Sequence, residues 1–189
     1  KAGRLIVEKA VERGIEVTAV VREENRSSTQ NVIKKDLFSL VPEDLAGFDA
    51  VIDAFGAWTP ETLPQHSSSL KHLCDLLSGA GSLYVNPDHT AQVMDGPDFP
   101  EAFVPLAGSM GQALDELRKR EDVRWTYLSP ACDFRADGGE TGKYLFGGEE
   151  LFLNAKGESV ISYADYASAM IEEAINGSHI RERISVIEA

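Results

Sequence analysis

The sequence predicts an α/β domain: a mostly parallel sheet with helices on both faces. Three observations carry this. Amphipathic stretches at helical spacing alternate with apolar runs, rich in β-branched residues, that are too short for buried helices. Several runs are closed at their carboxyl ends by a glycine, a proline or a charge, where such sheets take ligands. The chain has 189 residues and 43% hydrophobic content, enough for one core of ordinary size.

The first element is a helix from about Ala2 to Arg13. Ala2, Leu5, Ile6, Ala10 and Val11 form its apolar stripe, Arg4, Glu8, Lys9, Glu12 and Arg13 its polar face, and Gly14 stops it. Val17 to Val21 follows as a buried strand ending on Arg22. A β-α-β unit needs a strand before its helix. Lys1-Ala2-Gly3 reads as the tail of a G-x-x-G-x-x-G turn, with Gly3 as the glycine that lets helix and strand pack closely. A strand and two further glycines are therefore expected upstream of Lys1.

Glu23 to Gln30 is polar and aperiodic, a loop. Asn31 to Asp36 is a short strand running into Leu37-Phe38. Val41 to Phe48 is a short helical connection with Pro42 near its start, and Ala50 to Phe55 is another buried parallel strand closed by Gly56. Thr59-Pro60-Glu61 has the form of a helix start, and Leu70, Leu73, Cys74 and Leu77 supply the stripe of a helix ending near Ser78. That helix runs directly into Gly79-Ala80-Gly81-Ser82-Leu83-Tyr84-Val85. No room is left for the strand a crossover helix should feed, so a strand-length piece is expected to be missing between Leu77 and Gly79; the alternative is that Ser82 to Val85 is the strand.

Asn86 to Phe103 reads as a loop. Met110, Leu114 and Leu117 mark a helix with a charged outer side from Asp115 to Arg120. Val123 to Leu128 is a strand with Ser129-Pro130 at its carboxyl end, and Lys143 to Asn154 has a hairpin pattern centred on Gly147-Gly148. Ser162-Tyr163-Ala164-Asp165 is a capping pattern for a helix carrying Met170, Ile171, Ala174 and Ile175, and Ile184 to Ile187 is the last strand.

Charge and composition exclude several functions. Acidic residues outnumber basic ones 31 to 18, a formal charge of −13 that repels phosphate backbones, so nucleic acid is not an expected partner. No segment has the uninterrupted apolar length of a membrane span. Cys74 and Cys132 are the two cysteines, read as buried free thiols in a reducing cytoplasm. His66, His72, His89 and His179 are scattered without metal-ligand spacing, so no metal is expected. Neither a Gly-x-Ser-x-Gly elbow nor a phosphate-binding P-loop occurs.

Taken together, Lys1-Ala2-Gly3, Val20-Val21-Arg22, Lys35-Asp36-Leu37, Asp53-Ala54-Phe55-Gly56, Gly79-Ala80-Gly81-Ser82, Tyr127-Leu128-Ser129-Pro130 and Ile161-Ser162-Tyr163-Ala164-Asp165 carry a resemblance over the whole chain. It resembles the NAD(P)H-binding atypical short-chain dehydrogenases, in particular the bacterial proteins provisionally called NADH-flavin reductases, which are similar to biliverdin reductase B and NmrA-like regulators. The resemblance implies one Rossmann-like, doubly wound domain over residues 1–189, with a small C-terminal lobe from about residue 143 roofing the substrate cleft. It also accounts for both expected gaps.

The resemblance further implies site residues. Arg22 falls where the adenosine ribose is held; a guanidinium there pairs with a 2′-phosphate, which favours NADP (NADPH) and leaves NAD possible, the alternative being a solvated surface arginine. Asp36 and Leu37 flank the adenine. Ala54, Phe55 and Gly56 lie along the cofactor, where small residues let the backbone approach; a packed core position is the alternative for Phe55. Ser129 and Pro130 border the nicotinamide, unless Pro130 only ends its strand. Ser82 is the first candidate for a polar group beside the nicotinamide, with Tyr84 the second; the alternatives are a turn cap and a core tyrosine.

None of the five tyrosines, Tyr84, Tyr127, Tyr144, Tyr163 and Tyr166, has lysine four residues on. The dyad that lowers a phenol pKa in short-chain dehydrogenases is absent from the sequence, which argues against ordinary alcohol dehydrogenation and against epimerase chemistry. The expectation is therefore a cytoplasmic reductase passing hydride to a flavin or similar planar acceptor. A non-catalytic, NADP-binding sensor of the NmrA-like kind is the alternative, and oligomeric state is left open.

Overall fold

The structure, a computed structural model, describes residues 1–73, 92–97 and 99–189. Ser82, Tyr84, Cys74 and the expected break between Leu77 and Gly79 lie outside the described residues.

Helix α1, Ala2–Glu12, buries Ile6 and Ala10 and is released at Gly14, whose φ of 74° suits a residue without a side chain. Val11 is the exception to the expected stripe, 41% exposed, because Ile6 and Ala10 form the line turned to the core. Strand β1, Thr18–Val21, pairs in parallel with β2, Asn31–Lys34. Thr29 ties the loop between them, donating from Oγ1 to the Val17 carbonyl at 2.6 Å. The short helix α2, Pro42–Leu45, has the proline at its start as expected and ends before Gly47.

The apolar run Ala50 to Phe55 does not form the expected strand. It runs outside any ladder of the described residues, for β1 pairs with β2 and β3 with β7. The next helix, α3 at Gln65–Leu73, begins five residues later than an N-cap at Thr59 implied. Residues 59–64 instead form turns on the Thr59 carbonyl, which accepts from the N–H groups of Thr62 and Leu63 at 2.9 Å. Pro64 disfavours helical backbone at the residue before it and suits the threshold of a new helix.

Between 92 and 103 the expected loop contains two 3₁₀ turns, Val93–Asp95 and Glu101–Phe103, leading into α4, Val104–Arg118. Strand β3, Thr126–Pro130, is buried at every position and pairs in parallel with β7, Glu182–Glu188. It divides two cores. Leu128 joins Ile6, Ala10, Ile184 and Val186 under α1 and α5, whereas Trp125 and Tyr127 join Leu70, Leu114 and Leu117 under α3 and α4. Helices thus cover both faces of the parallel β3–β7 ladder, as the alternating pattern implied.

A short parallel pair, β4 (Asp133–Arg135) with β6 (Val160–Ser162), was not anticipated. The expected hairpin is also replaced: β5, Tyr144–Gly147, pairs antiparallel with β7 and not with Leu151–Leu153. The Gly-Gly step has another purpose. A Cβ on Gly147 would lie 2.2 Å from a Phe152 ring carbon, so the missing side chain makes room for that ring. Helix α5, Tyr163–Asn176, starts as its sequence indicated: Ser162 Oγ accepts from the Asp165 N–H at 3.0 Å, and Gly177 closes it in the left-handed conformation.

Candidate cofactor and acceptor cleft

A cleft of about 1160 Å³ opens between the start of α1, the 53–58 segment, α4, the end of β3 and the start of α5. It sits beyond the carboxyl ends of parallel strands, where α/β sheets bind ligands.

Two glycines shape its floor. A Cβ on Gly3 would approach the Ala54 Cβ to 3.1 Å, so α1 packs on the 53–58 segment at a separation that a methyl would have to widen by a few tenths of an ångström. A Cβ on Gly56 would meet three atoms of the Trp58 indole at 3.1 to 3.2 Å. The indole therefore folds back over the glycine while remaining 75% exposed.

Side chains beneath hold this segment. Asp53 is buried and its Oδ1 accepts from the Phe55 N–H at 2.8 Å. His66, also buried, places Nε2 3.0 Å from the Ala57 carbonyl. A carbonyl only accepts, so the proton is on Nε2. The other nitrogen, Nδ1, is buried without a hydrogen-bond partner among the described residues, and burial lowers the pKa of the ring, favouring its neutral form. The imidazole meets the Phe55 ring edge-on, centroids 6.0 Å apart at 73°. Backbone path and side-chain support are thus fixed together from Asp53 to Trp58.

The remaining walls are largely apolar. Phe99 precedes the second 3₁₀ turn, Phe103 ends it, and Leu106 and Met110 come from α4; Pro130 ends β3, Ala131 follows it and Phe134 lies on β4; Tyr163, Tyr166 and Met170 come from α5.

Of the residues singled out in the sequence, Gly3, Ala54, Phe55, Gly56 and Pro130 line this cleft. Arg22 is exposed immediately after β1, and among the described residues its guanidinium forms no ion pair. Asp36 caps the 3₁₀ turn Leu37–Ser39, accepting from the Phe38 N–H at 2.9 Å, with Leu37 half-buried behind it. Ser129 is turned away from the cleft. It is fully buried, and its Oγ accepts from Arg183 Nε at 3.0 Å, because the arginine lies on the neighbouring strand in the core under α3 and α4. Trp58, His66, Phe103, Phe134 and Tyr163 line the cleft but were not singled out for it. Only Trp58, an indole in a polar turn directly after the Ala54-Phe55-Gly56 run, left a local trace.

The NAD(P)H-binding family profile matches residues 1–176. The chain belongs to that family. It is 40% identical to the uncharacterized protein YwnB of Bacillus subtilis, with 99% of this chain and 93% of the relative covered. It is 50% identical to a crystallised protein of Streptococcus pneumoniae that carries the provisional description NADH-flavin reductase; the TM-score is 0.96, with 100% of this chain and 94% of that one covered. A crystallised Bacteroides thetaiotaomicron protein, provisionally described as an epimerase, is 33% identical at a TM-score of 0.86, covering 99% and 92%. The Rossmann-like reading of this chain is borne out.

The cleft fits such a dinucleotide on the structure's own terms. Gly3 and Gly56 keep α1 and the Trp58 indole close on the 53–58 segment, and the cleft they border opens beyond the carboxyl ends of parallel strands, where α/β sheets take dinucleotides.

Proposed function

We propose that this protein is an NADPH-dependent oxidoreductase that delivers hydride to a flavin or a similar planar acceptor. The observation that carries the proposal is the cleft itself: a glycine-shaped floor at the strand ends that continues into an aromatic chamber. The cleft as a whole, about 1160 Å³, exceeds the roughly 300–1,000 Å³ of ordinary single-ligand pockets.

Bound NADPH would supply the hydride. The protein's part is to bind, orient and exclude water. In this reading Gly3, Ala54, Phe55 and Gly56 let the backbone approach the dinucleotide, and Arg22 pairs with the 2′-phosphate. Asp36 and Leu37 border the adenine through the turn they form, and Pro130 limits the nicotinamide end. Ser82 is the proposed polar group beside the nicotinamide, with Tyr84 second. Trp58 and Phe103 offer apolar faces to a conjugated ring. The sequence lacks a Tyr-x-x-x-Lys dyad, which agrees with an acceptor that needs little acid catalysis from the protein. The provisional flavin-reductase description of the Streptococcus pneumoniae relative supports the same direction.

The test is oxidation of NADPH with FMN, FAD and riboflavin as acceptors, beside a binding titration of NADP and NADPH. Turnover well above the uncatalysed rate supports the reductase. Tight binding without turnover by any of the three overturns it in favour of a dinucleotide sensor.

A further inference from the structure

We infer that Tyr163 donates a hydrogen bond to the carbonyl edge of the acceptor. This rests on the reductase reading above and adds a residue to it.

Two tyrosines of α5 line the cleft, and they differ in what their hydroxyls do. Tyr166 is 2% exposed and spends its hydroxyl on the core, donating to the Leu128 carbonyl at 3.0 Å. Tyr163 is only half-buried, and its hydroxyl has no hydrogen-bond partner among the described residues. Its ring is nevertheless held. Phe134 packs against it with centroids 4.1 Å apart at 38°, and Phe134 is itself backed by Tyr166 at 4.9 Å. The phenol is therefore a donor on a fixed ring at the cleft wall, with no acceptor among the described residues.

Its place in the fold agrees with this use. Tyr163 is the first residue of α5, directly after the carboxyl end of β6, which pairs in parallel with β4 at Arg135 and Ser162. The nearby carboxylate does not compete for it. Asp165 accepts from the Thr141 N–H and Oγ1 and from the Gly142 N–H, at 2.8 to 3.1 Å.

Hydride uptake leaves the acceptor with a negative charge delocalised onto its conjugated carbonyl. The hydride comes from the reduced nicotinamide, which leaves oxidised, and a solvent proton neutralises the reduced acceptor. Tyr163 keeps its own proton throughout. A donor aimed where charge develops is worth more as the charge grows than in the ground state, so its effect is larger on turnover than on binding.

The experiment is Tyr163→Phe, read three ways. For oxidised FMN bound to the protein holding NADP, followed by flavin fluorescence, Kd is expected to rise about fivefold to tenfold, the worth of one neutral hydrogen bond. With FMN as acceptor, kcat is expected to fall about tenfold or more while KM for NADPH is unchanged. The melting temperature is expected to stay the same, because the lost oxygen has no partner among the described residues. Wild-type turnover with a variant equal to it in both Kd and kcat overturns the assignment of Tyr163 and leaves the reductase reading standing. A lowered melting temperature alongside weaker FMN binding places the hydroxyl in the fold and also overturns it. A wild-type protein that binds NADPH but reduces no flavin overturns the reductase reading, and this inference with it.

Discussion

The guanidinium of Arg183, on β7, is held by the hydroxyl of Ser129, on β3, through an Nε to Oγ hydrogen bond of 3.0 Å. Both residues are buried, and Glu149 adds an ion pair to Arg183 Nη1 at 3.7 Å while clamping Arg118 of α4 from two oxygens at 2.8 Å. The strand pair and α4 are thereby joined through one carboxylate. Replacing Ser129 by Ala removes the acceptor of a buried charged donor and is expected to destabilise the protein by about 1–3 kcal/mol. The KM for NADPH should not change. Denaturant unfolding together with steady-state kinetics checks both; a raised KM with unchanged stability would return Ser129 to the cofactor site.

Gly3 and Ala54 make the matching relationship at the cleft. An added methyl at Gly3 would sit 3.1 Å from the Ala54 Cβ, so Ala54 or α1 must shift by a few tenths of an ångström. Helix propensity pulls the other way, since alanine is better than glycine in a helix by about 0.5–1 kcal/mol. Gly3→Ala is therefore expected to change stability little and to weaken NADPH binding, with Gly3→Val weakening it more. Gly3→Ala combined with Ala54→Gly should restore affinity, because the second change removes the atom that is crowded. Titrations of the variants decide, and equal affinity in Gly3→Val would remove Gly3 from the cofactor floor.

Arg22 stands exposed after β1, and its proposed partner is a 2′-phosphate. Charge-assisted hydrogen bonds contribute about 1.5–3 kcal/mol, so Arg22→Ala is expected to weaken NADPH binding roughly tenfold to a hundredfold. NADH binding should hardly move. Equal losses for the two cofactors would sink the NADP preference.

What was legible in the sequence follows from how local each feature is. The stop of α1 at Gly14 and the Ser162 cap of α5 depend on residues a few positions apart, and both are found. Ala50 to Phe55 has the composition of a strand, but a strand also needs neighbours in register, which composition does not specify. Tyr144 to Gly147 found its partner about forty residues away in β7, and the glycine pair that suggested a hairpin serves the ring of Phe152. At the cleft the positions expected along the cofactor, Gly3 and Ala54 to Gly56, do converge. Ser129 illustrates the opposite case: being adjacent to Pro130 in sequence says nothing of which face it takes, and strand alternation turned it to Arg183. Trp58, Phe134 and Tyr163 come from separate elements, and their convergence is a property of three dimensions.

His66 gives a prediction in pH. Burial lowers its pKa in the folded protein below the unfolded value of about 6.5. As pH falls the unfolded chain takes up this proton before the folded one does. The stability gained by burying the neutral ring is therefore complete above the unfolded pKa, and is lost as pH drops through that value towards the folded one. Protonation would also place a charge beside the Phe55 ring in the buried ground under the cleft, where no carboxylate of the described residues bonds Nδ1. Unfolding free energies measured from pH 7 down to about 5 should decline more steeply for the wild type than for His66→Gln, which retains an N–H donor for the Ala57 carbonyl but does not titrate. The 53–58 segment should loosen in step, so NADPH affinity of the wild type is expected to fall over the same interval. Parallel stability curves for the two proteins would show that His66 is not the titrating group.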